Sequence, residues 1–446
     1  MGLGSFRGGI HPPGNKELSK GSPIQAVKPG KELVYLLSQH IGAPARPLVK
    51  KGDRVLAGQK IAEAAGFVSV PVYASVSGTV TGIEQRLTAS GGTSDAVIVE
   101  NDGLYQEAPP REGLQNPEAL SRDEILERIR EAGVAGMGGA GFPTHVKLSP
   151  KEPEKIDYVL INGAECEPYL TADYRRMLEY PEQVAGGLRI LLRLFPNAKG
   201  VICIEDNKPE CIRIMEQACA GDSSLQVRPL KTKYPQGAER MLIYAVTGRK
   251  INSSLLPADA GCVVDNAETA AAVYRAVALG KPVTERIVTV TGDAVAHPSN
   301  FLAPVGMDHQ ELLDAAGGLA KPAEKIVSGG PMMGFALFDL HVPVTKTTSG
   351  LVCLSADEVS RHRPTACINC GRCVAQCPEH LVPARLARFA QHGDEKNFLK
   401  YYGMECCECG CCSYVCPARR PLAQEIKSMR KMVLANRKKR QEGDKK

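Results

Sequence analysis

The chain has 446 residues, 43% hydrophobic and 23% charged, with 16 cysteines, no tryptophan and a formal net charge of +6. This is too long for a single hydrophobic core and predicts three or four globular domains. The longest apolar stretch, Leu188 to Phe195, is broken by Arg189 and Arg193 and is far too short to span a bilayer.

From the N-terminus to about residue 120, apolar and polar positions alternate between glycine and proline punctuation, which predicts short strands. Residues 48–61 (LVKKGDRVLAGQKI) read as strand, tight turn, strand, and residues 70–80 (VPVYASVSGTV) as a second such unit. The pair resembles the barrel-sandwich hybrid of biotinyl and lipoyl carrier domains, whose connecting hairpin presents a modified lysine. The corresponding stretch here, Ala64 to Pro71, has no lysine. A structural or docking role is therefore expected for this domain. The first 20 residues lack the apolar core of a signal peptide, so the chain is expected to remain in the cytoplasm.

A second domain is predicted over residues 121–283. Ser121 and Glu124 form a capping box, with Ile125, Leu126 and Ile129 on one face of the helix behind it. Then comes GVAGMGGAGFPT, with Gly133, Gly136, Gly138, Gly139 and Gly141 closely spaced. Bare amides ahead of a helix can cradle a phosphate. The spacing matches neither a Walker nor a Rossmann fingerprint, and a turn or packing role would also explain the glycines. Apolar runs at Tyr158 to Ile161 and Gly200 to Ile204 alternate with helical stretches as far as Leu279. That alternation predicts an α/β domain with a largely parallel sheet.

Residues 284–350 read as a smaller β-rich unit with one helix near His309 to Ala316. In the fourth segment, residues 357–426, Cys367-x2-Cys370-x2-Cys373-x3-Cys377-Pro is followed by Cys406-x2-Cys409-x2-Cys412-x3-Cys416-Pro. This is the spacing of bacterial two-cluster ferredoxins, in which the fourth cysteine of each run ligates the other cluster. Cys367, Cys370, Cys373 and Cys416 are expected around one [4Fe–4S] cluster, and Cys406, Cys409, Cys412 and Cys377 around the second. Structural zinc also uses C-x2-C pairs, but on separate knuckles with a longer stretch between them. Cys407 and Cys411 fall out of register and read as packing residues. The basic residues 427–446 read as a solvated tail or a surface for acidic partners. With no basic-aromatic platform, nucleic acid is not an expected partner.

The run GVAGMGGAGFPTHVK closely resembles the flavin loop of the NADH-oxidising FMN subunit of respiratory complex I. Asn162 to Pro168, Tyr234 to Glu239 and Val264 to Thr269 match that family in the same order. The resemblance implies that Gly136, Gly138, Gly139, Gly141 and Lys147 lie along the FMN phosphate and ribityl chain. Asn162, Tyr234, Gly237, Asp265, Asn266 and Thr269 would hold the rest of the flavin. Phe142, Glu165 and Glu239 would meet NAD(H), the two carboxylates being the candidate catalytic residues. Ala164, Ala238 and Met137 depart from the family pattern, which often has acidic residues at the first two positions and a basic one at the third.

The whole order resembles the RnfC subunits of Rnf-type ion-translocating ferredoxin:NAD oxidoreductase complexes, with GGIHPPGNK and VSGGPMMG as further matching segments. The implied fold is multidomain α/β and α+β. It comprises a barrel-sandwich N-terminus, a complex I FMN-subunit-like α/β domain, a β-grasp unit and a helical two-cluster ferredoxin domain. The implied function is a membrane-peripheral subunit on the cytoplasmic side, passing electrons between two [4Fe–4S] clusters, FMN and NAD(H). Its partners would be integral-membrane and ferredoxin-like subunits of the same complex, with the barrel and the basic tail as candidate docking surfaces. The alternatives are a soluble flavin and iron–sulfur reductase, such as a cobalamin reductase, or a non-catalytic electron relay.

Overall fold

The computed structural model describes residues 3–109 and 116–443. Four sheets and a helical C-terminal region make up the architecture. Near the N-terminus, strands Glu32–Leu36, Thr93–Asn101, Gly78–Leu87 and Arg54–Val55 form an antiparallel sheet. It faces a three-stranded sheet of Arg46–Pro47, Lys60–Glu63 and Val72–Tyr73. Alternation along the strands sends Leu33, Tyr35, Ile61, Val97 and Val99 into a shared core, as a barrel sandwich requires.

The next domain contains a fully parallel sheet in the order Leu225–Leu230, Lys199–Glu205, Tyr158–Gly163, Cys262–Asn266. Both faces are covered, so its strands are near-continuous apolar runs such as Gly200 to Ile204. The capping box forms: Ser121 accepts from the Glu124 amide, and the Glu124 side chain returns to the Ser121 amide. Burying Ile125 and Ile129 behind it contributes about 1.5–3 kcal/mol per side chain.

A six-stranded mixed sheet follows, with helix His309–Ala315 packed on it. Two of its strands correct the predicted boundaries. Ile24–Ala26, from the segment assigned to the barrel, pairs in parallel with Ser299–Pro304 at the sheet edge. Gly350–Leu354 pairs with both Glu285–Thr291 and Lys325–Ser328, so the unit does not end at residue 350. In both cases the strand's backbone groups find their partners far away in sequence.

The predicted solvated tail is also corrected. Leu422–Gly443 is one helix, and Leu422, Ile426, Met429 and Val433 are buried on its inner face against Leu386, Ala387 and Phe398. Spacings of four, three and four place those residues in one stripe, while the lysines and arginines occupy the other face. Among the described residues, no helix is long and apolar enough to cross a membrane.

The domains are stitched together by buried polar contacts. Lys346 Nζ donates to the carbonyls of Pro71 at 2.6 Å and Gly133 at 2.7 Å, joining three domains. Burial with no carboxylate beside it lowers this ammonium to about 7.

Candidate functional site

The carboxyl ends of the parallel strands bring the predicted flavin residues together, as expected for a ligand crevice in an α/β sheet. Asn162 ends one strand, and Asp265 and Asn266 end its neighbour. Asn162 Nδ2 donates to the Gly237 carbonyl at 2.8 Å, drawing in the loop from Tyr234 to Gly237. Lys147 Nζ reaches the Val264 carbonyl at 2.6 Å and stands 3.4 Å from Asp265 and 3.9 Å from Glu239. Burial alone would lower the Lys147 ammonium, but Asp265 and Glu239 outweigh it and raise it.

The glycine loop faces the N-terminus of helix Ala267–Leu279, which Asn266 caps. Met137 N–H donates to Thr269 Oγ1 at 2.9 Å, and Gly136 N–H to the Phe142 carbonyl at 2.8 Å. Gly138 and Gly139 are exposed. A Cβ at Gly138 would come within 2.7 Å of Asn266, whereas at Gly139 it would meet open space. Gly141 has a φ of 71°, which closes the loop.

The two predicted catalytic carboxylates are placed differently. Glu239 is 44% exposed at the rim, beside Lys147. Glu165 is 5% exposed; its Oε1 accepts from the Asp173 amide at 2.7 Å at the start of helix Ala172–Glu179, and Lys16 lies 3.6 Å from Oε2. Glu165 is therefore engaged as a helix cap.

Several residues not singled out in the sequence shape the cradle. Asp173 accepts from Asn266 at 2.6 Å, and burial beside Glu165 pushes its carboxyl up to about 7 against the pull of Arg286. Arg286 enters from the β-grasp sheet and donates to the Met137 carbonyl. Burial would raise Glu268, yet Arg176, Arg275 and Arg286 hold it down to about 2. The signal for Arg286 was a lone cation in the strand Glu285–Thr291, which is buried from Arg286 onward.

The unmet polar valences of these residues suit a bound ligand. Both Asp265 carboxylate oxygens and both amide atoms of the fully buried Gln236 have no hydrogen-bond partner among the described residues. Buried groups of that kind are costly unless something polar meets them. Together with open amides at a helix N-terminus, the set suits a phosphate-bearing cofactor with a polar ring.

The two cysteine runs fold alike. Asn369 and Glu408, Gly371 and Gly410, and His380 and Arg419 occupy equivalent places in the runs, and all six have positive φ. A short helix follows each, Arg372–Ala375 and Cys411–Tyr414. The Asn369 amide donates to Cys367 Sγ and the Glu408 amide to Cys406 Sγ, each at 3.4 Å. Such bonds favour thiolate ligands.

Cys377, Cys406, Cys409 and Cys412 line one cavity, together with Cys407 and Cys411. The fourth cysteine of the first run thus lies beside the second run. Among the described residues, no group of three or more His, Cys, Asp or Glu side chains is arranged to hold one metal ion. Burial pushes the Cys377 thiol to about 11 and those of Cys406 and Cys412 to about 12. Thiolates there require a cation such as iron to form. For the other set, burial raises the Cys373 thiol, and Cys416 and Cys367 lie near enough to raise it further. Cys367 and Cys370 are exposed. Cys411 is buried beside Tyr234 and Ile10, while Cys407 packs partly buried against the same cluster.

Tyr234 connects the two regions. Its hydroxyl donates to the Cys409 carbonyl at 2.8 Å, while its loop carries Gln236 and Gly237 into the cradle. Ile10 pairs with Tyr234, and Gly9 N–H donates to the Gln376 carbonyl at 2.9 Å. The N-terminal segment is thus wedged between the flavin-type domain and the cysteine module.

Comparison with known proteins agrees with this layout. Residues 4–104 match the family described as the RnfC barrel sandwich hybrid domain, 129–275 the Nuo51 FMN-binding domain, and 287–336 the SLBB domain. A protein of Acetobacterium woodii, named as the C subunit of a Na(+)-translocating ferredoxin:NAD(+) oxidoreductase complex, is 44% identical over 436 residues, 98% of each chain. One of Clostridium ljungdahlii, named as the C subunit of a proton-translocating complex of the same kind, is 44% identical over 87% of this chain and 85% of its own. The C subunit of the Pseudomonas aeruginosa ion-translocating oxidoreductase complex is 43% identical over 89% of this chain and 51% of its own. The crystal structure of an NAD+-reducing [NiFe]-hydrogenase in the H2-reduced state covers 72% of this chain and 65% of its own, at 19% identity and a TM-score of 0.51, and shares the fold.

Proposed function

The chain belongs to the RnfC family, the C subunits of ion-translocating ferredoxin:NAD(+) oxidoreductase complexes, and on that premise we propose that it carries electrons between NAD(H), FMN and two [4Fe–4S] clusters. It does so as a peripheral subunit on the cytoplasmic face of the cell membrane, docked to integral-membrane and ferredoxin-like subunits. The relatives named for sodium and proton translocation support membership of such a complex.

FMN, when bound, supplies the conversion between a two-electron hydride and single electrons. This chain's residues do the rest. The amides of Gly138, Gly139 and Gly141 and the Lys147 ammonium meet the phosphate end, while the Gly136 amide, bonded to the Phe142 carbonyl, shapes the loop. Gln236, Asp265 and Asn266 supply the polar contacts that orient the flavin, and Thr269 fixes the loop. Glu239, at the open rim, is the carboxylate available to a nicotinamide nucleotide. Glu165 acts from behind, by anchoring the segment from Asn162 to Pro168.

The observation that carries this reading is the bond from Tyr234 to the Cys409 carbonyl. It holds the run carrying Cys406, Cys409 and Cys412 against the flavin domain, while Cys367 and Cys370 are exposed. Electrons then have an inner station beside the flavin and an outer one for exchange.

The test is an anaerobic NADH titration of the FMN-supplemented subunit, followed by visible absorbance and electron paramagnetic resonance. Flavin bleaching together with reduced-cluster signals is expected. Clusters that reduce with dithionite but never with NADH would remove the nucleotide assignment and leave an electron relay.

A further inference from the structure

One helix carries both the rim carboxylate of the nucleotide site and a cation that reaches the cysteine module. Glu239 opens helix Glu239–Thr247, and Arg240 follows it. The Arg240 Nη1 stands 3.3 Å from Glu379 and 3.1 Å from Glu405. Glu379 comes directly after Cys377-Pro378 in the first run, and Glu405 directly before Cys406 in the second. One guanidinium is thus shared by a carboxylate from each run. All three side chains are at least three-quarters buried, so salt screens them weakly.

These carboxylates lie where charge matters. Glu379 lines the same cavity as Cys377, Cys406, Cys409 and Cys412, the inner cluster set. Glu405 is also held by Ser253, whose hydroxyl and amide donate to its two oxygens at 2.6 and 2.7 Å. Neither of those bonds brings a charge. Arg430, on the C-terminal helix, lies near Cys406 as well, but it is paired with Glu408. Net charge beside an iron–sulfur cluster is one of the factors that set its reduction potential. Without Arg240, two uncompensated carboxylates would flank the inner cluster and disfavour the added electron.

We propose that Arg240 is a positioning residue that sets the potential of the inner cluster by offsetting Glu379 and Glu405, so that the cluster can accept an electron from the flavin. In that step one electron leaves the reduced flavin and one arrives at the cluster. No bond forms, and the proton given up by the flavin passes to water. The part played in flavin-to-cluster transfer rests on the proposed function, with Cys367, Cys370, Cys373 and Cys416 holding the outer cluster. The competing role for Arg240 is mechanical, a clamp between the helix and the two runs that leaves the potential alone.

The experiment is a mediated redox titration of the cluster-loaded, FMN-supplemented full chain, read by electron paramagnetic resonance and run without NADH. Wild type is compared with Arg240→Gln, Glu379→Gln, the double variant and Arg240→Lys. Arg240→Gln is expected to lower the inner cluster's one-electron reduction constant about tenfold, a fall of about 59 mV, and to leave the outer cluster within about twofold. Glu379→Gln should shift the inner cluster the opposite way. The double variant, which removes one charge of each sign, and Arg240→Lys should both return to within about threefold of wild type. An unchanged inner potential in Arg240→Gln, an equal shift of both clusters, or a double variant as low as Arg240→Gln overturns the inference and leaves a clamp. Should Arg240→Gln fail to hold iron, Glu379→Gln decides: a raised potential supports the inference and an unchanged one overturns it. Clusters that titrate as expected but never reduce with NADH would remove the proposed function and the transfer role with it, while the hold of Arg240 on the potential stood.

Discussion

Arg286 donates a 2.7 Å hydrogen bond to the carbonyl of Met137 across the boundary between the β-grasp and flavin domains. With Thr269 accepting from the Met137 amide, both main-chain groups of this residue are held. The flavin loop therefore depends on a guanidinium from another domain, at the very residue where related loops often carry their own basic side chain.

Replacing Arg286 with Met should release the loop carbonyl and strip Glu268 of one of its three cations. Breaking a buried charged contact costs about 3–5 kcal/mol, and a fall of about 3 kcal/mol is expected in urea unfolding. FMN affinity, read by fluorescence quenching, should drop at least tenfold. Unchanged affinity would show that the loop holds its shape without this anchor.

Crossed ligation gives a paired prediction. Cys377→Ser should abolish the paramagnetic signal of the inner cluster although Cys377 belongs to the first run, and Cys416→Ser should abolish the outer one. Cys411→Ala should keep both clusters, with iron content unchanged. Loss of the first run's own cluster in Cys377→Ser would refute the crossing.

Gly9 has a φ of 76°, and a Cβ there would approach the Tyr234 carbonyl to 2.6 Å. Gly9→Val should therefore push the N-terminal segment out from between the flavin domain and Gln376. NADH should bleach the flavin at the normal rate while electrons reach the clusters at least tenfold more slowly. Rapid-freeze paramagnetic resonance would detect this; parallel slowing of both steps would count against the wedge.

Asp173 holds its proton in the folded chain up to about pH 7, against about 3.9 when unfolded. Its contribution to stability is complete below pH 4 and disappears as pH rises through 7. Asp173→Asn, which can still accept from Asn266, should flatten the decline in stability between pH 4 and pH 7. Urea midpoints at pH 5 and pH 7.5 check this. Glu167, pushed by burial to about 7, adds a decline of the same sign in both proteins, so the difference isolates Asp173.

Val433 is fully buried in the C-terminal helix. Val433→Asp places an unpaired charge there, costing about 3 kcal/mol or more. Proteolysis should then cut between the cysteine module and residue 443, and iron should leak faster. The same substitution at exposed Leu434 should change neither.

What could be read from residues alone followed from short-range rules. The repeated cysteine spacing gives two runs with the same backbone, and alternation of apolar runs with helices gives the parallel sheet. Asn162, Asp265 and Asn266 converge because ligand crevices form where such strands end. Harder to read were contacts that span domains, such as Arg286 on Met137 and Lys346 on Gly133, because no local pattern names the partner. Glu165 shows a related limit: its motif matched a nucleotide site, yet its carboxylate caps a helix eight residues away. The C-terminal stripe of Leu422, Ile426, Met429 and Val433 was legible at helical spacing but hidden among basic residues.

The threading of the N-terminal segment has a consequence for biosynthesis. Gly9 leaves the ribosome early, but its partner Gln376 is made 367 residues later. At about 5–20 residues per second, that is a wait of roughly 20–70 s. During that interval the N-terminal segment can seat only on the flavin domain, through Ile10 on Tyr234 and Gly4 on Lys231, and the strand at Ile24–Ala26 must wait for residues 300–302. Maturation therefore cannot run strictly domain by domain. The contact of Gly9 with Gln376 locks only once the first cysteine run has been made.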